Sequence, residues 1–113
     1  MRRLVREVLA ASHVMDYIAR LIRATHPGAP DAPEPVRKYV RYGASPRGAQ
    51  AVLLAAKVRA LRAGRANVAF EDIAPAVGAA LRHRLILSFE GQADGVEPDE
   101  ILRAVTEYVP REP

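Results

Sequence analysis

The 113-residue sequence predicts an all-α fold: a small bundle of four or five helices joined by irregular loops, spanning residues 1–113 as one domain. Three observations carry this expectation. Apolar residues recur at three- and four-residue spacings along most of the chain, the period of a helix with one buried face. Pro-Gly, Ser-Pro and Glu-Pro pairs punctuate these runs where helices stop and start. Half of the residues are apolar, yet aromatics are only 5% and Trp is absent. The core is therefore built from Leu, Ile, Val and Ala, and no stretch predicts a convincing sheet.

Residues 2–10 place Leu4, Val5, Val8 and Leu9 at helical spacing among Arg2, Arg3, Arg6 and Glu7. Ser12 is expected to end this turn and cap a second helix. That helix carries Val14, Met15, Ile18, Leu21 and Ile22 on one face, with Tyr17 at its edge and Arg20 and Arg23 towards its C-terminal end, where positive charge is favoured. Pro27-Gly28 stops it. Residues 27–35 hold four prolines in nine positions, so few N–H donors remain and a surface loop is expected. Val36 to Val40 reads as a short helical turn or an extended piece leading into a bend at Gly43.

The strongest helix runs over 46–63. Ala49, Val52, Leu53, Ala56, Ala60 and Leu61 trace one stripe, the alanines favour helix and allow close packing, and Gly64 stands at the C′ position. Phe70-Glu71-Asp72-Ile73 begins the next helix with acids in its first turn. Ala69, at its N-cap, supplies no capping oxygen, so this end is expected to fray. Pro75 is tolerated near the start, and Val77, Leu81, Leu85 and Ile86 extend an apolar face through Arg84. Residues 88–96 read as irregular, with turn signals at Gly91 and Asp94-Gly95. Glu97-Pro98-Asp99-Glu100 opens the last helix, which turns Ile101, Leu102, Val105 and Val109 inward and ends at Pro110.

Several chemistries are excluded. With no Cys there are no disulfides and no thiolate metal sites. No apolar run approaches a membrane span, and Glu7, His13 and Asp16 interrupt what would be the core of an export signal, so a cytoplasmic location is expected. The net charge of +4 raises the question of nucleic acid, but the basic residues are scattered among acids and not interleaved with stacking aromatics. No specific nucleic-acid partner is expected. The sequence has neither a Gly-rich loop ending in Lys-Ser/Thr nor a dinucleotide fingerprint, and no apolar strand ends in acids that would hold magnesium. His13, His26 and His83 are isolated and predict no metal site. Ser12, Ser45 and Ser88 lack a nucleophile elbow, and Asp94, Glu97, Asp99 and Glu100 are explained mostly as helix-start acids. This chain alone should catalyse no nucleotide hydrolysis.

The stretch Tyr42-Gly43-Ala44-Ser45-Pro46-Arg47-Gly48-Ala49 holds the candidate site. Ser45 is a favoured N-cap and Pro46 a favoured first helical residue. Arg47 then falls in the first turn, where the helix already carries partial positive charge and acids are the residues that gain. Two readings stand: Arg47 points into water, as most surface charges do, or an anion binds beside it and the exposed N–H groups. Arg82-His83-Arg84 also has two readings, a turn of basic helix surface or a contact for phosphate or an acidic partner. Three consecutive helical residues cannot share one face, which favours the first.

The ordered series Tyr39-Val40-Arg41-Tyr42-Gly43-Ala44-Ser45-Pro46-Arg47-Gly48-Ala49-Gln50, Gly64-Arg65, Val68-Ala69-Phe70-Glu71-Asp72-Ile73, Leu81-Arg82-His83-Arg84-Leu85, Glu90, Glu97-Pro98-Asp99-Glu100-Ile101 and Val109-Pro110 resembles the C-terminal helical lid domain of MoxR-type AAA+ ATPases. Ala24-Thr25-His26-Pro27 fits the same pattern. The likeness covers nearly the whole chain and implies that Arg47 is the sensor 2 residue, reaching the γ-phosphate of ATP. Gly43, Ala44, Ser45 and Pro46 would form the loop and helix start that position it. ATP and its Mg would be held mainly by a P-loop core absent from this sequence. The implied partners are that core, neighbouring subunits of a hexamer and von Willebrand A domain proteins, in chaperone-like remodelling or maturation of clients. Ala69 stands where a capping Ser or Thr is usual, and His26 where Arg is common. With the core missing, the sequence reads either as an excised domain with Met1 added or as a natural stand-alone remnant. A helical protein-interaction adaptor, or less favourably a basic nucleic-acid module, is the alternative.

Overall fold

The alanine-rich segment after Pro46 forms the longest helix, and the other elements pack around it. A computed structural model describes residues 8–111. Their order is α1 (Ser12–Ala24), α2 (Glu34–Tyr39), β1 (Val40–Tyr42), α3 (Pro46–Arg62), α4 (Phe70–Leu81), β2 (Ile86–Leu87), α5 (Phe89–Ala93) and α6 (Pro98–Tyr108). α3 buries a line of small residues, Gly48, Val52, Ala56 and Ala60, which lets α4 approach closely. α4 answers with Ile73, Ala76, Val77 and Leu81, and Asp72 is buried beside them. α1 seals one side with Val14, Tyr17, Ile18, Leu21 and Ile22, and α6 closes the core with Ile101, Leu102 and Val105. The apolar side chains among these join in one hydrophobic cluster.

The all-α class is confirmed, with six helices among the described residues and a two-stranded ribbon that the sequence did not announce. β1 and β2 pair antiparallel, Val40 opposite Leu87 and Tyr42 opposite Ile86, with an irregularity between. Strands of three and two residues are too short to display a two-residue period. α2 and α5 are similarly short. α2 contains the short helical turn expected from Val36 but begins two residues earlier, at Glu34 inside the proline-rich segment, and α5 lies within 88–96, a stretch expected to be irregular.

Residues 8–10 are not helical: Leu9 donates to Ala66 O at 2.9 Å and accepts from Val68 N–H at 2.8 Å, forming a parallel bridge with Asn67. The remainder of the helix expected over 2–10 lies outside the described residues. The N-cap of α1 is Ala11, and Ser12 is already helical. Tyr17 is buried rather than at an edge. α4 ends at Leu81, so Ile86 escapes its apolar face and is exposed. The start of α4 is not left to fray. Asp72 Oδ2 accepts from Ala69 N–H at 2.8 Å, and Arg65 donates to both Asp72 oxygens at 2.6 and 2.7 Å. An acid at the third helical position thus replaces the missing capping side chain.

Two serines at N-cap positions differ. Ser45 makes no capping bond, contrary to expectation. Ser88 accepts from Gly91 N–H at 3.1 Å while its hydroxyl donates to Lys38 O at 2.9 Å. Thermal unfolding of the two alanine variants should separate them. Ser45→Ala should change stability by less than about 0.5 kcal/mol, and Ser88→Ala should cost about 1 kcal/mol or more.

Candidate functional site

The candidate segment is held from two sides. On one side is the end of α1. Thr25 has no exposed surface. Its Oγ1 donates to Ile22 O at 2.6 Å and accepts from Ala44 N–H at 3.0 Å. His26 Nε2 lies 2.7 Å from Ala44 O; because a carbonyl only accepts, Nε2 carries the proton. Gly43 is pressed against the same residue. A Cβ built there would sit 2.5 Å from Thr25 O and 2.8 Å from its Oγ1. Glycine is required here by contact with backbone, and its φ is not in the left-handed region.

On the other side is the end of α4. A Cβ on Gly48 would meet Leu81 Cδ2 at 3.0 Å and Ala44 Cβ at 3.1 Å. Ala44 and Gly48 are buried, whereas Ser45, Pro46 and Arg47 between them are exposed. Arg47 is thus presented at the first turn of α3 by a segment whose flanks are fixed. Among the described residues its side chain has no hydrogen bond and no ion pair. The first turn of α3 holds no acid, so the helix dipole and the guanidinium add rather than cancel.

Arg84 brackets the same helix end. Its Cδ is 3.7 Å from the position of a Gly48 Cβ, and its Nε donates to Ala80 O at 3.1 Å. Arg82 faces elsewhere: its Nε donates to Gly78 O at 3.0 Å and lies 3.2 Å from Asp99 Oδ1, joining α4 to α6. His83 is exposed beside Arg82, Glu97, Pro98 and Asp99. The three consecutive basic positions therefore do not converge. A cleft of about 330 Å³ between α4 and α6 is lined by Pro75, Gly78, Arg82, Asp99, Leu102 and Arg103 among others, and contains none of residues 42–48.

The start of α3 thus presents the planar Arg47 cation at a first turn where Pro46 has no N–H and the Gly48 and Ala49 N–H groups both donate to Ser45 O, at 2.8 and 3.3 Å. Among the described residues no group of three His, Cys, Asp or Glu side chains could hold a metal ion, and no helix is long and apolar enough to cross a membrane. The sequence singles out Arg47 and its loop, and it sets Thr25 and His26 only within the Ala24–Pro27 segment that fits the family pattern, with His26 where Arg is common. The bonds that make them part of the site span 18 and 19 residues, and no local pattern signals a pairing at that distance.

A family model described as AAA lid domain matches residues 34–105. Over 96 residues the chain is 32% identical to "Chaperone MoxR1" of Mycobacterium tuberculosis, covering 85% of this chain and 26% of that protein. It is 30% identical over 111 residues to the protein YeaC of Bacillus subtilis, covering 96% of this chain and 31% of the other. Among solved structures, that of a "putative ATPase" from Cytophaga hutchinsonii superposes with a TM-score of 0.89 at 31% identity, over 96% of this chain and 33% of that one. The chain thus spans a quarter to a third of the length of these relatives.

Proposed function

The chain belongs to the AAA lid domain family and is of the MoxR type, and on that premise we propose that it is the nucleotide-sensing lid of an AAA+ ATPase. Arg47 is the sensor 2 residue. The observation that carries this reading is its placement: an exposed guanidinium, unpaired among the described residues, on the first turn of α3, fixed on both flanks by buried Ala44 and Gly48. It reaches the γ-phosphate of ATP held by a P-loop core, which supplies the magnesium-binding acids and is not part of this sequence. ATP bound between core and lid draws Arg47 towards it. When the γ-phosphate leaves, the charge favouring that orientation leaves too, and the lid is released to another. Such a module is a ligand-biased element, not a catalyst by itself.

The wider reading follows from the same premise. The lid packs on its own core and on neighbouring subunits of a hexamer in the cytoplasm, and couples hydrolysis to chaperone-like work on clients, with von Willebrand A domain proteins as partners. Intact mass or an immunoblot of the native product in its source cells tests the first step. A P-loop core joined to this domain should add on the order of 200 residues. A native product of only 113 residues would deprive Arg47 of a covalently joined nucleotide site and would favour the adaptor reading.

A further inference from the structure

We propose that Thr25 and His26 are positioning residues for Arg47, holding the Gly43–Pro46 segment in the one conformation that aims the guanidinium; the inference rests on the sensor reading above. Thr25 is a fully buried polar side chain at the end of α1, and it spends both hydrogen-bonding roles. Buried polar groups are kept satisfied because an orphan is costly. This hydroxyl satisfies one partner in α1 and one in the loop before Arg47. His26 donates to the other backbone polar group of the same residue, so Ala44 is gripped by both its N–H and its C=O.

Three further features make the grip relevant to Arg47. Gly43 has no side chain to hold the backbone off Thr25, whose carbonyl would lie 2.5 Å from a Cβ. Pro46 fixes φ between the gripped residue and Arg47, so little slack separates them. Gly48 is pinned against Leu81 on the far side. The ordering cost of the segment is therefore met before any ligand arrives, which is what a precisely aimed cation requires. A hydroxyl needed only to close α1 would require neither a bond to Ala44 nor the histidine beside it.

A double-mutant cycle in the complete ATPase that carries this domain tests the proposal. Thr25→Val, Thr25→Ser and His26→Ala are made alone and together with Arg47→Ala, and kcat and KM for ATP are measured. Thr25→Val is expected to lower kcat/KM about 10- to 100-fold, the scale of a misplaced catalytic contact. His26→Ala should act in the same direction and Thr25→Ser should restore activity. In the Arg47→Ala background none of the three should lower turnover further. If Arg47→Ala lowers turnover but Thr25→Val and His26→Ala do not, or lower it equally in both backgrounds, the positioning role is overturned while the sensor reading stands. If Arg47→Ala leaves turnover unchanged, the sensor reading fails and this one with it. Should Thr25→Val not fold, His26→Ala decides, because His26 is exposed and its loss leaves Ala44 O open to water.

Discussion

Arg47→Ala, introduced into the complete ATPase, is expected to lower ATP turnover on the order of 100-fold, the cost of removing one preorganised charge-stabilising donor from a phosphoryl-transfer site. The domain itself should be unaffected. Arg47 is exposed, and none of the hydrogen bonds or ion pairs among the described residues involves its side chain, so truncation should change stability by less than about 0.5 kcal/mol. If anything the isolated lid should gain slightly, because a positive charge leaves a helix N-terminus. Circular dichroism and thermal unfolding of the 113-residue chain check the second half, and steady-state turnover of the whole enzyme checks the first. Lys at the same position should recover only part of the loss, since an ammonium offers a point charge but not the planar fork of donors.

The second large effect concerns stability. Arg65 and Asp72 form a two-bond pair at 2.6 and 2.7 Å, and Asp72 is 1% exposed. Arg65→Met leaves a buried carboxylate whose one remaining hydrogen-bond donor among the described residues is the Ala69 N–H, and should cost about 3–5 kcal/mol, or at least roughly 10 °C in Tm. The pH dependence should change sign as well. The Arg65 guanidinium, assisted by the Ala69 N–H and opposed by burial, holds the Asp72 carboxyl below the usual carboxylate range. A folded-state value below the unfolded one means that the unfolded chain binds protons first. The pair's contribution is therefore complete above about pH 4 and is lost as pH falls through the lower folded value. In Arg65→Met the opposite holds: burial raises the carboxyl, and acidification relieves the variant. Urea unfolding at neutral pH, at about pH 4 and at about pH 2.5 measures both slopes, the variant's between the first two and the wild-type pair's between the last two. Parallel curves for the two proteins would show that the pair does not set the acid behaviour.

Much of the fold was legible because its signals are local. Pro46, Phe70 and Pro98 open helices as punctuation and first-turn acids indicate, and the apolar spacing of α1 and α6 identifies their buried faces. The misreading of Ala69 is local: the Asp72 carboxylate that accepts its N–H stands three positions on, and the Arg65 that holds that carboxylate seven positions before it. The ribbon and residues 8–10 depend instead on distant residues. Leu9 looks helical until the 66–68 backbone offers it a pairing edge. Val40, Tyr42, Ile86 and Leu87 gain strand character only from each other. The site divides in the same way. Arg47 stood out because its charge is misplaced for the local helix, whereas Thr25 and His26 matter only through a contact with Ala44 that no neighbouring residue announces.

The most direct test of the account is the affinity of the complete ATPase for ATP and for ADP, with and without Arg47. A slowly hydrolysed ATP analogue and ADP are titrated against both proteins. If Arg47 reads the γ-phosphate, Arg47→Ala weakens binding of the triphosphate about 10-fold or more, as expected for a lost charge-assisted bond, and leaves ADP binding unchanged. Equal weakening of both nucleotides, or of neither, would contradict the claim that this arginine distinguishes them.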